Sequence, residues 1–386
     1  MRRRWLLALV ALVMGSLGAG STRALLARVD RQMNGLTPSA APAVSAEAAA
    51  LHRQLLIADL HADSLLWGRD LRERHDRGHL DLPRMVEGNM FLQVFGVVTA
   101  ASSGDNYTAN SGKSDQIGQL MLARGHVSAV GDLAQRARIQ AQDLQRLTAR
   151  SSLRLLRTGA DVAALRAARE AGQPAMGAVL SLEGAHGLGP EATYLDEAVA
   201  DGYRVIGLAH FFDNEFAGSL HGTRKHGLTD AGRALVHRLD ELGIIIDLAH
   251  ASPAVVDEVL ALSSRPPVVS HTGIRSACES PRNLSDARMK SIAAAGGLIG
   301  IGFWEGAICD TSPAGIARHL LAAVALVGIE HVSLGSDWDG TIHTTVDAAR
   351  LPQITQALLD AGASPDTIAA VMGENLVRFL EENLPQ

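Results

Sequence analysis

Eight short apolar runs recur along the chain from residue 55 onward, and each of them ends close to a polar residue. They are apolar throughout rather than alternating, which is typical of strands buried on both faces of a parallel sheet. From the third run onward their starts are roughly 23–39 residues apart, about the size of one strand–helix unit. The pattern predicts eight strands, over residues 55–60, 90–98, 175–182, 205–209, 244–248, 267–270, 298–303 and 331–335.

Helical segments fill most of the intervals, and several begin at a recognisable capping residue. Ser252 and Ser364 are each followed by proline, the usual order of an N-cap and a first-turn residue. Ser285 is the expected N-cap of a helix that ends at a pair of glycines. The interval 99–174 is longer than the others, and we predict a helical insertion there at around 128–170.

Eight such units without a distinct second hydrophobic domain indicate an α/β fold. The expected architecture is a single (β/α)8 TIM-type barrel, with the helical insertion between strands 2 and 3. A doubly wound parallel sheet is the alternative architecture. The glycine-rich dinucleotide-binding fingerprint that would support it does not follow the first predicted strand.

The N-terminus has the order of an export signal. Residues 1–4 form a positively charged start with three arginines, residues 5–17 are apolar, and residues 18–21 are small. We expect a protein exported to the periplasm or the extracellular space, with this segment either cleaved or kept as a membrane anchor. A chance apolar start is the alternative. The predicted division is a signal or anchor over 1–24, a linker over 25–47 and one barrel domain over 48–386.

Composition excludes several functional classes. The 386 residues include 41 acidic and 35 basic side chains, and the net charge is −6 without a basic stripe. Nucleic-acid binding depends on neutralising phosphates, so this chain is a poor candidate for it. Two cysteines are too few for a disulfide framework or a cysteine-rich metal site. The 15 histidines are the informative excess.

The predicted strand ends concentrate groups that can bind metal. Catalytic residues of such barrels lie at the C-terminal ends of the strands, and six of the eight ends carry histidine or an acid. Neutral imidazoles and carboxylates are ligands for Zn²⁺ and similar ions, and two ions would use more of the set than one. Any one of these residues could be structural, but several unpaired ionisable groups would not be buried together without a reason. The candidate residues at the strand ends are His61, Asp63, Glu183, His210, His250, His271 and Asp337.

Motifs around these residues resemble the membrane (renal-type) dipeptidase family, a branch of the amidohydrolase-like barrels. The resemblance covers roughly residues 50–382, and the order and spacing of the motifs carry it more than any single one does. The main motifs are His61-Ala62-Asp63, Leu182-Glu183-Gly184-Ala185-His186, Ile246-Asp247-Leu248-Ala249-His250, Val269-Ser270-His271 and Gly335-Ser336-Asp337-Trp338-Asp339-Gly340. Gly227-Leu228-Thr229 and Gly373-Glu374-Asn375-Leu376 also look like that family.

The resemblance implies a hydrolase that cleaves dipeptides with two zinc ions and a zinc-bridged hydroxide. One ion would be held by His61, Asp63 and Glu183, and the other by Glu183, His250 and His271, with Glu183 bridging them. Many related barrels use a modified lysine as the bridge. No lysine lies near the end of the third predicted strand, which favours the dipeptidase branch.

Three further residues acquire roles from the resemblance. Asp337 resembles the proton shuttle, and His210 resembles the substrate contact that stabilises the tetrahedral oxyanion. Arg282 resembles the arginine that binds the free C-terminal carboxylate of a dipeptide. His186 and Asp247 are expected to support the ligands or the structure. The expected partner is therefore a dipeptide, with a membrane tether through the N-terminus as a further expectation; family members are often homodimers.

Alternatives remain open at this level. The same barrel could act on a lactone, an ester or a cyclic amide, or it could be an inactive, membrane-tethered binding protein. Cys278 and Cys309 could form a disulfide in an exported protein or could remain two free, buried thiols. His221 and His226 are expected to be solvated loop residues.

Overall fold

A closed barrel of eight parallel strands forms the centre of the computed structural model, which describes residues 19–38, 43–102, 104 and 106–386. Each barrel strand pairs in parallel with the next, and the last strand pairs with the first through Leu334 and Asp59. All eight predicted strands are confirmed, as is the TIM-type architecture. The strands are β1 Gly35–Leu36, β2 Ile57–Ala62, β3 Met90–Val98, β4 Leu153–Leu155, β5 Met176–Glu183, β6 Tyr203–Gly207, β7 Ile245–Asp247, β8 Val268–Thr272, β9 Leu298–Ile301, β10 Val332–Leu334 and β11 His343–Thr344.

Helices surround the barrel and cover the outward faces of its strands. They are α1 Ala19–Met33, α2 Ala46–His52, α3 Leu82–Glu87, α4 Gln116–Ala123, α5 Leu133–Thr148, α6 Gly159–Glu170, α7 Leu195–Asp201, α8 Asp230–Leu242, α9 Pro253–Leu262, α10 Asp286–Ala294, α11 Glu305–Ile308, α12 Pro313–Val327, α13 Leu351–Asp360, α14 Pro365–Ala369 and α15 Asn375–Asn383. Almost every residue of the barrel strands is buried, because both faces of a barrel sheet are covered. The continuous apolar runs in the sequence have this cause.

The predicted helix starts and the insertion are confirmed. The hydroxyl groups of Ser252, Ser285 and Ser364 accept hydrogen bonds from the backbone amides three residues later, as N-caps do. Between β3 and β5 the chain forms α4, α5, β4 and α6. The short strand β4 pairs with β5 outside the barrel, so the insertion widens the sheet without entering the barrel.

The N-terminal region contains more regular structure than the sequence indicates. Residues 1–18, which carry most of the predicted signal, lie outside the described residues, so the signal and the division at residue 24 stay predictions. The stretch 25–47, predicted as a linker, contains the second half of α1, strand β1 and the start of α2. None of the helices in the described ranges has both the length and the apolar character of a bilayer-spanning segment.

Helix α1 is fixed to the barrel by a buried ion-pair network around Arg69. The Arg69 Nε atom lies 3.3 Å from the Oδ2 atom of Asp30 in α1, and its guanidinium also pairs with Asp339. Burial alone would raise the pKa of Asp339, but Arg69 and hydrogen bonds from His79 and Ser64 hold it below its ordinary value. The network therefore joins α1 to the segment that follows β10.

Replacing Arg69 by methionine should destabilise the fold strongly. The change removes the shared cation and leaves the Asp30 and Asp339 carboxylates buried, so we expect a loss of about 3–5 kcal/mol in the free energy of unfolding. The matched control is Arg31→Met on the same helix, where the ion pair with Asp76 is exposed and contributes about 0–1 kcal/mol. Urea denaturation measures both values. Equal losses in the two variants would contradict this account of α1.

Candidate active site

All seven predicted strand-end residues meet at one end of the barrel. His61 lies in β2 and His271 in β8, while Glu183 is the last residue of β5. The other four lie one to three residues after the ends of their strands. The carboxyl ends of parallel strands meet at the same rim, so all seven come together there. Every one of these side chains is buried. The four are Asp63 after β2, His210 after β6, His250 after β7 and Asp337 after β10.

Glu183 is the centre of the cluster, and its two carboxylate oxygens face different imidazoles. The Oε1 atom lies 3.1 Å from His250 Nε2 and 3.4 Å from His271 Nε2. The Oε2 atom lies 3.7 Å from His61 Nε2 and 3.6 Å from His210 Nε2. Each oxygen is therefore adjacent to its own pair of ring nitrogens.

The donor atoms suit a metal ion. His61 Nε2 and Asp63 Oδ1 are 3.3 Å apart, buried, and without a hydrogen-bond partner among the described residues. The Nε2 atoms of His250 and His271 approach to 2.9 Å, although two neutral imidazoles share at most one proton between these atoms. Imidazole nitrogens and carboxylate oxygens at this spacing form three overlapping groups that could each hold an ion. The groups are His61, Glu183 and His271; Glu183, His210 and His250; and His61, Asp63 and Asp337.

Electrostatics point the same way. Burial and Arg282 hold the pKa of His250 well below its ordinary value, which favours the neutral ring with one nitrogen lone pair available for a metal. Burial opposes protonation of His61, but Glu183 and Asp63 raise its pKa well above the ordinary value. The Glu183 and Asp63 carboxylates thus favour a positive charge beside His61. A metal cation would supply that charge without protonation of the His61 ring.

Asp337 and Arg282 complete the cluster. Burial, together with the negative charges of Asp63 and Glu183, holds the pKa of Asp337 well above its ordinary range against the opposing effect of His61. Arg282 reaches in from the loop after β8, where its Nη2 atom donates to the His271 carbonyl at 2.8 Å and lies 3.3 Å from His250 Nε2. A disulfide between Cys278 and Cys309 joins that loop to the end of α11.

The supporting contacts differ in part from expectation. Ser270 Oγ lies 2.8 Å from His271 Nδ1, and Asp247 accepts hydrogen bonds from the backbone amides of Ser270 and Ala249. His186, expected as a supporting residue, has no hydrogen-bond partner for either ring nitrogen within the described part of the chain. His221 is not solvated as expected, because it is fully buried.

Aromatic side chains line the open side of the cluster, and sequence reasoning missed them. The cavity has a volume of about 590 Å³ and is bounded by Tyr107, Phe211 and Trp304 as well as by residues 340–343. His221 stacks on Phe211 with ring centroids 5.0 Å apart. Phe211 directly follows His210, and Trp304 lies three residues after β9. In a chain with only 4% aromatic residues, this closeness to strand ends is the sequence signal that could have identified them.

Gly96 in β3 provides space for the ligands. A Cβ atom at this position would lie 2.5 Å from Asp63 Oδ1 and 2.7 Å from His61 Cε1. Both distances are shorter than van der Waals contact, so any larger residue would displace the two side chains. The backbone adds another constraint, since His250 and Asp337 both have a φ of 61°, in the left-handed region.

Comparison with known proteins identifies the family. Residues 45–384 match the membrane dipeptidase family, peptidase family M19. The chain belongs to this family. Its membership implies a metal-dependent hydrolase, and the cluster around Glu183 offers groups that could hold the metal.

Individual relatives agree with this assignment. Dipeptidase aclJ of Aspergillus oryzae is 33% identical over 212 residues, and the match covers 52% of this chain and 50% of that relative. Dipeptidase tcpJ of Claviceps purpurea is 27% identical over 321 residues, covering 79% of this chain and 69% of the relative. The chain therefore spans about half to two thirds of the length of these relatives.

Two solved structures share the fold over nearly their whole length. The crystal structure of dipeptidase AC, a metallopeptidase of family M19, has a TM-score of 0.70 at 25% identity and covers 86% of this chain and 99% of its own. A metallopeptidase from Rhodobacter sphaeroides, solved with a phosphinate mimic of the dipeptide L-Ala-D-Ala, has a TM-score of 0.69 at 25% identity. The match covers 85% of this chain and 99% of the other.

Gly96→Ala should weaken metal binding without unfolding the barrel. The added methyl group would push His61 and Asp63 away from Glu183, so we expect a reduction of about 10-fold or more in metal affinity, the size of effect seen when ligand geometry is disturbed. Gly131→Ala is the matched control, because nothing lies within 4 Å of a Cβ atom there. Metal titration monitored by calorimetry measures both. Equal affinity in the two variants would show that Gly96 does not set the ligand positions.

Proposed function

We propose that the protein is a zinc-dependent dipeptidase that holds two ions in the barrel mouth. The observation that carries this proposal is the arrangement of Glu183, whose two oxygens each face a separate pair of imidazoles. A carboxylate in this position can bridge two cations at the ~3.5–4 Å separation of hydrolytic metal pairs. The dipeptide mimic bound to the Rhodobacter sphaeroides relative supports a dipeptide as the substrate.

The ligand assignment is the one that the resemblance to the family implies. His61, Asp63 and Glu183 would hold one ion, and Glu183, His250 and His271 the other. When bound, such ions lower the pKa of water and polarise a carbonyl group. Ser270 and Asp247 would keep the His271 ring and its strand in position, since ligand imidazoles are commonly oriented by a second hydrogen bond.

Arg282 would determine where the substrate binds. Its guanidinium is buried and lines the same cavity as Glu183, so a carboxylate that reaches it gains a desolvated, bidentate ion pair. The Arg282 guanidinium also lies 5.5 Å from the centre of the Trp304 ring, within the range of a cation–π contact. A C-terminal carboxylate bound at Arg282, in the same cavity as the cluster, would select peptides of two residues.

Asp337 and His210 would carry out the proton and charge steps. Asp337 lies next to His61 and Asp63, close enough to accept a proton from the attacking water and to deliver it to the leaving amine. His210 Nδ1 lies 3.2 Å from the Ala100 carbonyl, which accepts a hydrogen bond from it. His210 Nε2, which faces Glu183, would donate to the developing oxyanion.

Removal of metal tests the proposal directly. We expect the purified full chain to hydrolyse L-L or L-D dipeptides, to lose this activity on dialysis against a chelator, and to regain it on addition of Zn²⁺. Elemental analysis should find about two divalent ions per chain, as a bridged pair requires. A chain that hydrolyses a lactone, an ester or a cyclic amide but no dipeptide would contradict the substrate assignment. Fewer than two ions without hydrolysis after zinc addition would indicate a binding protein.

Arg282→Met should affect substrate binding more than turnover. Removing one partner of a desolvated charge pair costs at least about 2 kcal/mol, so we expect KM for dipeptides to rise about 30-fold or more. The matched comparison uses the corresponding dipeptide amide, which lacks the carboxylate and should be cleaved with similar KM by both proteins. Elemental analysis of bound metal separates the loss of the carboxylate contact from a disturbance of His250, which Arg282 also contacts. If the wild-type protein prefers the amide, Arg282 does not bind a carboxylate.

A further inference from the structure

A second cavity opens from the candidate active site toward the N-terminal helix. We call it the α1 pocket; it has a volume of about 520 Å³, within the usual range for small-ligand sites. Its entrance is shared with the catalytic cavity, because Asp63, His210, Tyr107 and Phe211 line both. Its other walls are mainly apolar and include Val29, Leu66, Trp67, Val98, Ile117 and Leu120.

The wall formed by α1 lies before the residues that match the family. The family match begins at residue 45, whereas Val29 and Met33 lie on the preceding helix. This helix is firmly held, since Asn34 Oδ1 accepts a hydrogen bond from the Thr341 amide at 2.9 Å and β1 pairs with β11. Thr341 itself lines both cavities. The pocket is therefore a built feature of this chain.

The lining chemistry identifies the kind of group that fits. Within the described part of the chain, the ionisable side chains on the α1 pocket are Asp63, His210 and Tyr107, and all three belong to the shared entrance. The remaining polar groups are uncharged. A charged side chain would lose its hydration there without gaining a partner, whereas a large apolar side chain would be transferred from water into apolar surroundings.

Orientation of the substrate identifies which side chain enters. Arg282 lines the catalytic cavity but not the α1 pocket. If the C-terminal carboxylate is at Arg282 and the scissile carbonyl is at Glu183, the N-terminal residue lies beyond the cluster, near Asp63 and His210. We propose that the α1 pocket binds a large apolar side chain of the N-terminal residue, which makes α1 a specificity determinant. This inference rests on the proposed dipeptidase function.

Wild-type specificity is the first test. With the full chain and zinc, kcat/KM for Phe-Ala and Leu-Ala should exceed that for Ala-Ala by about 10-fold or more, the usual effect of filling an apolar pocket, and Asp-Ala should be the poorest substrate. The reversed peptides Ala-Phe and Ala-Leu should show a smaller preference. Equal values for Phe-Ala, Ala-Ala and Asp-Ala overturn the pocket assignment while leaving the dipeptidase proposal intact. Failure to hydrolyse any dipeptide overturns both.

Filling the pocket is the second test. Met33→Trp places a larger side chain on the α1 wall, so the ratio of kcat/KM for Phe-Ala to that for Ala-Ala should fall about 10-fold. Leu26→Trp is the matched control, because Leu26 lies on the same helix but lines a different cavity, and it should leave the ratio unchanged. Thermal unfolding checks that both variants fold. If Met33→Trp lowers kcat/KM equally for Phe-Ala and Ala-Ala, or if Leu26→Trp changes the ratio as much, α1 does not determine the specificity for the N-terminal side chain.

Discussion

Negative charge buried in the barrel mouth is the constraint on which the rest of the structure depends. Glu183, Asp63 and Asp337 lie together with almost no exposure to solvent, and carboxylates in such surroundings repel one another and lack hydration. Four imidazoles face Glu183, and their ring nitrogens need either protons or a cation. A metal cation at the centre of the cluster would balance the charge of these carboxylates.

The barrel explains how such a cluster can be assembled from residues far apart in the chain. The candidate ligands come from four strand ends, with His61 and Asp63 both at the end of β2, and closure of β10 on β2 brings Asp337 next to His61. The strands contribute rigidity because their outward faces are covered by helices. The loops then place further side chains around the cluster: Arg282 after β8 and Trp304 after β9, while the segment after β10 contacts α1.

Sequence reasoning located the centre of the site but not its surroundings. His61, Glu183 and His250 could be found because each follows an apolar run, and an apolar run ending in an ionisable residue is a local signal. The burial of His221 and the clearance at Gly96 depend on contacts between segments distant in sequence, for which periodicity carries no information. Helix α1 has apolar residues at helical spacing, at Leu25, Leu26, Val29 and Met33, but the neighbouring prolines, alanines and serines favoured a linker.

The left-handed backbone at Asp337 and the charge of its side chain together limit which residues can replace it. With a φ of 61°, the position accepts glycine, asparagine or aspartate at little energetic penalty, because their side chains tolerate that conformation. Glutamate keeps the charge but fits the backbone poorly, whereas asparagine fits the backbone but gives up the charge. Neither glutamate nor asparagine therefore keeps both the charge and the backbone conformation. Aspartate is the residue that meets both requirements at this position.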